Sequence, residues 1–439
     1  MSDHPSRSRA EREAAWERFK AADLPTSSLE EWRYSRIDDL DLDRYKFSFP
    51  ATLPPAESDL ALPGEVTRWL GLLGQPAALV RVRNGVVVGA EISDESVRVP
   101  ESGRGDRLSG HAASDRAPGP FASVGEIAGE PDPFVSLNRA MAISPLELSV
   151  RRGARVRGPV VVAHWADVQG AALFPRTVLR LEEGAEATVL EVMASSDADA
   201  LVLPVSEMDV GDSARLRHMS LQVLGKRAWQ IWLQASRVGR DASLTSVAVS
   251  MGGDYTRMRT DSSLVAPGGT SELRSVYFGT GTQMQDFRTV QHHRAPKTTS
   301  DLLYKGAVAN TARSVYSGLI RVEKGARGTN AYQTNRNLVL HEGAHADSVP
   351  NLEIEENDVR CSHASAVGPI SEDERFYLES RGVPREVADQ LISLGFLDEV
   401  LAQAPLQALL PELRLGLAAK LVEAEAGEAD RALSTRAGR

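Results

Sequence analysis

Cysteine is nearly absent from this sequence, which has one cysteine, Cys361, in 439 residues. One cysteine cannot build a disulfide framework, so the chain fits a reducing compartment. Long apolar runs are also missing, because no segment approaches the roughly 18 consecutive apolar residues of a membrane span. The first residues, MSDHPSRSRAEREAAWERFK, are polar and charged rather than typical of a signal peptide. These absences predict a cytoplasmic protein with no membrane partner.

The net charge of the chain and the absence of known motifs exclude further classes of protein. The formal net charge is −10, from 50 basic and 60 acidic residues, and no basic stripe is present, so no nucleic-acid partner is expected. The sequence has no G-x-x-x-x-G-K-[ST] phosphate loop, no G-x-S-x-G elbow and no H-E-x-x-H motif. The G-x-G of Gly279 and Gly281 lacks a third glycine and a following helix pattern, which disfavours a nucleotide site there.

Residues 1–136 form the first of three regions that differ in pattern. The segment SRAEREAAWERFKAADLP has apolar residues at mixed spacings of three and four, which predicts a helix. Ser28 and Glu31, within TSSLEEWRYS, have the spacing of a capping box. We therefore expect this region to begin with helices.

The same region then changes to strand patterns. Two runs with alternating apolar residues meet at Asn84-Gly85, a dipeptide that strongly predicts a β-hairpin. From about residue 100 to 120 the chain is rich in Gly, Ser, Asp and Arg, which is typical of a mobile linker.

Residues 137–370 consist of short β-type runs with almost no helical periodicity. Similar turns, such as EEGA, EKGA and HEGA, recur between the runs and end at Ala154, Ala185, Ala214, Ala242, Ala326 and Ala344. The first intervals are 31, 29 and 28 residues. A repeated small-residue turn without helices favours a β-solenoid over a large sandwich or barrel, whose strands would recur every 8–12 residues or so.

Residues 371–439 are helical in pattern and end in a polar tail. Ser371 and Glu374 form a second capping box, and Gly382 has the position of a helix C′ residue. Pro384 suits the start of the next helix. About 70 residues of helix bury their apolar faces poorly alone, so part of this surface is expected to dock on another partner.

Four histidines outside the Cys361 segment are weaker candidates. His292 and His293 are adjacent, so on a strand they face opposite sides and cannot chelate one ion together. We expect one of them to point inward and the other to be solvated. His341 and His345 flank a turn and are expected at the surface.

A different function is indicated by the acidic segment NLEIEEND. Glu353, Glu355 and Glu356 could form the carboxylate pair of a β-solenoid polysaccharide hydrolase or lyase, or line a carbohydrate-binding groove. Sugar-binding grooves usually present exposed aromatic rings, and aromatic residues make up 5% of this chain. The low aromatic content weighs against this alternative.

Cys361 and His363 lie in DVRCSH, at the end of the last β-type run. On a strand, Val359, Cys361 and His363 share one face, and the thiol and imidazole stand about 6–7 Å apart along the strand. That spacing suits an iron–sulfur cluster better than a single ion, but a cluster needs about four protein ligands. Either Cys361 is a small core residue beside a satisfied imidazole, or another chain completes the site.

Several segments resemble the SufB/SufD family of iron–sulfur cluster assembly scaffolds. The resemblance covers PNLEIEENDVRCSHASAVGPISEDERFYLESRGV and YKGAVANTARSVYSGLIRVEKGARGTNAYQTNRNLVLHEGAHADSVP, with weaker similarity back to LPTSSLEEWRYS. The pattern is closer to the SufD type. In the SufB type an essential cysteine is aligned with Asn335, and glutamates flank the histidine aligned with His363, where this chain has Ser362 and Ala364.

The resemblance implies a fold and a set of partners. It implies a mainly β protein, with a right-handed parallel β-helix flanked by an N-terminal α/β region and C-terminal helices. It also implies a non-catalytic scaffold that pairs with a SufB-like subunit and with a SufC-like ABC-type ATPase, which docks on the C-terminal helices. The isolated chain would hold no cofactor, and an iron–sulfur cluster would form transiently in the complex.

Site residues follow from the same resemblance. His363, with Cys361 as a second candidate, would form half of a cluster site at the interface with the SufB-like subunit. Phe376, Tyr377 and Arg381 are candidates for the ATPase interface. A homodimer is expected when the partner is absent, because an exposed strand edge favours self-pairing.

Overall fold

The computed structural model describes residues 9–47, 62–99 and 125–437. The segment interpreted as a linker, about residues 100–120, lies outside these ranges. Within them the α-helices are α1 Arg9–Ala21, α2 Gly64–Leu72, α3 Pro133–Met141, α4 Glu372–Glu379, α5 Arg385–Leu401 and α6 Leu410–Ala437. Short 3-10 helices cover Glu30–Trp32, Ile37–Asp39, Leu42–Arg44 and Gln407–Leu409.

The strands occupy the middle of the chain. The first eleven are β1 Lys46–Phe47, β2 Ala78–Arg83, β3 Val86–Ile92, β4 Val97–Arg98, β5 Leu146–Val150, β6 Arg155–Ala166, β7 Ala171–Leu173, β8 Arg176–Leu181, β9 Glu186–Ser195, β10 Ala200–Val202 and β11 Val205–Val210. The others are β12 Arg215–Val223, β13 Trp229–Val238, β14 Ser243–Ser250, β15 Tyr255–Leu264, β16 Thr270–Gly279, β17 Met284–His293, β18 Thr299–Val308, β19 Arg313–Val322, β20 Thr329–Val339, β21 His345–Ile354 and β22 Val359–Gly368.

Successive long strands alternate between two sheets. Sheet A follows the order β21-β19-β17-β15-β13-β11-β8-β5-β4, and sheet B the order β22-β20-β18-β16-β14-β12-β9-β6-β2-β3. The pairs within each sheet are parallel, except β2 with β3 and β4 with β5. The chain therefore winds into a parallel β-helix of about eight turns, as the sequence predicted.

The start of the β-helix differs in detail from the sequence-based boundary at residue 137. Residues 133–141 form helix α3, and the first strand of the central series begins at Leu146. The predicted hairpin at Asn84-Gly85 is present, with positive φ at both residues. Its strand β2 pairs in parallel with β6, so the hairpin extends sheet B.

The recurring turns form corners of the coils. A residue with positive φ precedes a fully buried small residue, as in Gly184 before Ala185 and Gly325 before Ala326. Lys297 before Thr298 repeats this geometry with threonine in place of alanine. The corner recurs because a side chain larger than alanine or threonine has no space where one coil stacks on the next.

The interior of the β-helix, which we call the bore, contains a buried carboxylate. Glu191 is 1% exposed and accepts hydrogen bonds from the Thr177 hydroxyl at 2.7 Å and the Ser206 hydroxyl at 2.8 Å. Burial alone would raise the pKa of Glu191, but hydrogen bonds from His164 and His218 outweigh it and hold that pKa well below its usual range. Glu191 is thus stabilised as a buried anion.

The N-terminal segment docks on the outer surface of sheet A. Arg257 donates to the Glu31 carbonyl at 2.7 Å, and its guanidinium stacks 3.6 Å from the Trp32 ring centroid. Arg288 donates to the Arg33 carbonyl at 2.7 Å. The capping box expected here does not form, because no side chain caps the 3-10 helix Glu30–Trp32.

The C-terminal helices pack on the outer surface of sheet B. Leu397 and Leu417 share one apolar core with Leu190 and Val247 of the sheet. Lys305 is 2% exposed and donates to Glu399 at 2.5 Å and to the Phe396 carbonyl at 3.0 Å. Apolar burial and a buried cation therefore fix helix α5 against strand β18.

Candidate functional site

Strand β22 forms one side of the last coil, and among the described residues no strand lies beyond it in sheet B. Its register places Cys361 beside Ala331, His363 beside Gln333 and Ser365 beside Asn335 on strand β20. The three β20 residues are buried and face the bore, and in-register parallel neighbours point the same way. Cys361, His363 and Ser365 therefore surround the open end of the bore, which we call the mouth.

Strand β21 forms the opposite side of the mouth. The Ser365 hydroxyl donates to the Ser348 hydroxyl at 2.7 Å, which joins the two strands across the opening. Pro350 and Leu352 lie further along β21, in register with Gly318 and Ile320 of the coil below. The mouth is thus bounded by two strands with mixed polar and apolar side chains.

The two candidate ligands have different surroundings. Cys361 is partly buried against the cluster of Ile320, Val322 and Ala331, and this burial raises the pKa of its thiol. His363 is exposed and has no side-chain hydrogen bond within the part of the chain that the structure describes. The imidazole is therefore the more available ligand.

The mouth cannot supply a full ligand set by itself. Among residues 9–47, 62–99 and 125–428, no three His, Cys, Asp or Glu side chains lie together as a metal site. Asn335, where the SufB pattern has its cysteine, is fully buried. Its amide donates to the Tyr277 hydroxyl at 3.0 Å and accepts from Asn337 at 2.7 Å. Asn335 is thus part of a closed hydrogen-bond network.

The first C-terminal helix presents aromatic side chains to solvent. The Ser371 hydroxyl caps helix α4 by accepting from the Glu374 backbone amide at 3.4 Å, which is one of the two bonds of the predicted capping box. Phe376 is 71% exposed and Tyr377 is 57% exposed, with the Arg381 guanidinium 5.0 Å from the Tyr377 ring centroid. More than half of each side chain is therefore accessible to solvent or to a partner.

Helix α5 adds two residues that sequence reasoning missed. Val387 and Leu391 are 42% and 51% exposed and stand four residues apart on one helical face. With Phe376, Tyr377 and Arg381 they form what we call the α4–α5 surface. Their i, i+4 spacing was the available signal, but it does not distinguish an exposed apolar face from a packed one.

The remaining histidines have structural surroundings. His293 is buried and bonds to Thr298 at 2.8 Å, whereas His292 lies on the other side of the strand and bonds to Glu323 at 2.7 Å. This confirms the expected division between an inward and an outward residue. His345 is exposed as expected. His341 is partly buried, and its Nδ1 accepts from the Asn310 backbone amide at 2.9 Å.

The three glutamates of the acidic segment do not converge. The Glu356 carboxylate accepts from the backbone amides of Gly325 at 3.1 Å and Asn357 at 2.9 Å, and these bonds lower its pKa. The Glu353 carboxylate lies 3.7 Å from the Arg321 guanidinium on the neighbouring strand. Glu355 follows the end of β21, and successive side chains of a strand point in alternate directions. Glu356 thus connects turns of adjacent coils.

Fold and site together define a β-helix protein with an open terminal coil and a docked helical tail. The family model described as "SUF system FeS cluster assembly, SufBD core domain" matches residues 164–396, more than half of the chain. The chain belongs to the SufBD family of iron–sulfur cluster assembly proteins.

Three relatives support this assignment. A SufBD family protein of Mycobacterium tuberculosis is 34% identical over 298 residues, covering 66% of this chain and 72% of the relative. SufD of Escherichia coli is 28% identical over 386 residues, covering 86% and 84%. SufD of Bacillus subtilis is 28% identical over 284 residues, covering 64% and 65%.

In the described part of the chain, no helix is long and apolar enough to span a membrane.

Proposed function

We propose that this chain is a non-catalytic, SufD-type scaffold subunit that pairs with a SufB-like subunit and binds a SufC-like ABC-type ATPase. In this proposal the ATPase supplies nucleotide hydrolysis, and the iron–sulfur cluster is cargo that forms where the two scaffolds meet. The observation that carries the proposal is the open terminal coil, whose mouth presents a free imidazole but lacks a complete ligand set.

The terminal coil has the features of a protein interface. Val349, Leu352, Ile354 and Val367 are between 36% and 44% exposed, although they lie on the last two strands of a well-packed β-helix. Within residues 9–47, 62–99 and 125–437, no strand pairs with the outer edges of these two strands. Natural proteins usually cover or charge such edges, which supports a partner that continues the coil.

His363 is the proposed principal ligand of the half-site, and Cys361 is secondary. A neutral imidazole can ligate iron through one nitrogen while the other is held by a hydrogen bond. The raised pKa of the Cys361 thiol disfavours the thiolate that a cluster needs. Binding of the partner would have to change that environment before Cys361 could contribute.

The half-site is tested by two single substitutions. His363→Ala should leave the thermal midpoint and complex formation unchanged but lower the iron content after reconstitution with the partners. Cys361→Ala should have the smaller effect on iron. Wild-type iron content in His363→Ala would exclude the site, and loss of folding in either variant would favour a structural role.

The α4–α5 surface is the proposed ATPase interface. Interfaces favour exposed aromatic and arginine side chains, and helix α4 presents Phe376, Tyr377 and, stacked on the tyrosine, Arg381. Of the two helices, α5 is fixed to sheet B through Lys305. A movement of the bound ATPase would therefore be transmitted to the β-helix through these contacts.

A double substitution with a matched control tests this interface. Phe376→Ala with Tyr377→Ala should abolish ATPase binding in a calorimetric titration and leave the fold intact, because both rings are exposed. Leu415→Ala with Val422→Ala removes comparable exposed apolar area from α6 and should preserve binding. The interface lies elsewhere if the first pair binds normally or if the second pair loses binding.

A further inference from the structure

A line of mostly polar side chains runs through the bore toward the mouth. On sheet B the line starts at Glu191 and continues, coil by coil, with Ser220, Ala248, Ser275 and Tyr304. The column on sheet A contains Thr177, Ser206, Gln234, Thr260 and Thr289. The two columns face each other, because the Glu191 carboxylate accepts from both the Thr177 and the Ser206 hydroxyls.

The line begins abruptly and has an apolar neighbour. One coil before the line starts, the same two columns carry the buried apolar residues Val162 and Leu146. The next column of sheet A carries large side chains in the same coils, namely Trp232, Met258 and Phe287. Apolar side chains therefore fit this bore, and the polar line has a separate cause.

Three residues in the middle of the line lack hydrogen-bond partners. Ser220, Gln234 and Ser275 are at most 1% exposed and occupy three successive coils. Neither the two hydroxyls nor either end of the Gln234 amide has a partner within the described residues. A buried polar group that loses its hydration without gaining a hydrogen bond destabilises a fold, and most such groups are bonded to protein or to ordered water.

Short side chains leave space next to these groups. Ala248 lies in register between Ser220 and Ser275, and its methyl group extends only a short way into the bore. Thr260 and Ser275 face each other in the next coil toward the mouth, and both are short. Packed sheets stand about 10 Å apart, a distance that two short side chains do not fill. Room for small polar molecules therefore remains between the two columns.

We propose that the bore binds ordered water in these coils, with Ser220, Gln234 and Ser275 as its ligands. Buried water typically makes about three hydrogen bonds to polar groups that have no other partner. Two hydroxyls and an amide supply both donors and acceptors for such bonds. The water continues the hydrogen-bonded line from Glu191 and Ser206 toward the mouth, where the unpaired amide of Gln333 is a further ligand. The isolated chain would hold this water without its partners.

A high-resolution crystal structure and a solution measurement test the water site together. We expect electron density for water within hydrogen-bonding distance of the Gln234 amide and of Ser220 or Ser275. Magnetic relaxation dispersion of the water signal counts long-lived bound water in solution. Gln234→Leu removes both polar ends of the amide and should lower that count. Ser275→Ala is the second, milder variant and should lower it as well, while the chain stays folded.

Met258→Leu is the matched control. Met258 is fully buried in the apolar column beside Gln234, and leucine nearly conserves its volume. The control should keep the wild-type count of bound water. Wild-type protein without water density beside Gln234 would overturn the proposal, as would a wild-type count in the variants that fold. If Gln234→Leu fails to fold, Ser275→Ala and the wild-type density still decide the outcome.

Discussion

Lys420 of helix α6 provides a quantitative test of how the helical tail is attached. The residue is 9% exposed, and its ammonium donates to the Met251 carbonyl at 2.8 Å, to Gln283 Oε1 at 2.7 Å and to the Thr280 hydroxyl at 3.3 Å. All three acceptors are neutral. Burial lowers the pKa of Lys420 from 10.5 to about 8, because the charged form loses its hydration.

This pKa shift sets both the sign and the size of a pH effect. Protonated Lys420 is disfavoured in the folded chain by about 3 kcal/mol relative to the unfolded chain. The unfolded chain keeps its proton to higher pH, so this contribution to the free energy of unfolding rises with pH between the two pKa values. About 2 kcal/mol of the rise falls between about pH 7 and pH 9.5.

Lys420→Met removes this titration and keeps a long apolar side chain. Urea unfolding followed by tryptophan fluorescence gives the stability difference between wild type and variant at each pH, and we expect that difference to change by about 2 kcal/mol over the range. Lys324→Met, at an exposed lysine in the turn after strand β19, should produce no such change. Parallel pH profiles for wild type and Lys420→Met would refute the reasoning.

Two further predictions concern the bore, and a third concerns helix α5. Glu191→Gln should lower the free energy of unfolding by about 3 kcal/mol at neutral pH, because the substitution removes the buried carboxylate and its hydrogen-bond donors lose a charged acceptor. The pKa of Glu191 is depressed in the folded chain, so this difference should shrink as the pH falls below the unfolded value of 4.5, as urea titrations can show. Gly306→Ala should destabilise the fold by roughly 1–3 kcal/mol or more, because the new Cβ would overlap the ring of Tyr277. Gly395→Ala, on helix α5 with open space around it, should instead raise the thermal midpoint.

The β-helix could be predicted because its signal is local. Each corner combines a residue of positive φ with a small buried residue, and this pattern recurs within a few residues of sequence. Thr298 falls on the repeat but was not counted as a turn of this kind, because threonine replaces alanine there. The period of two along a strand was also sufficient to place Cys361 and His363 on one face.

The features that could not be predicted depend on distant pairing. Arg257 holds the carbonyl of Glu31, 226 residues away in sequence, and no local pattern encodes such a contact. The sequence also could not show that Cys361 and His363 lie on the bore side of strand β22 rather than on its outer side. That depends on how the last coil winds. Gln234 resembles any polar strand residue until the register places it in the polar line of the bore.

The central claim is that the chain works as one scaffold in an assembly with two other kinds of subunit. Native mass spectrometry of the chain co-expressed with the SufB-like and SufC-like proteins of its own organism tests this claim most directly. The account predicts one complex that contains this chain, the SufB-like subunit and the ATPase. Recovery of the chain only as a monomer or homodimer, while the other two proteins assemble without it, would contradict the account.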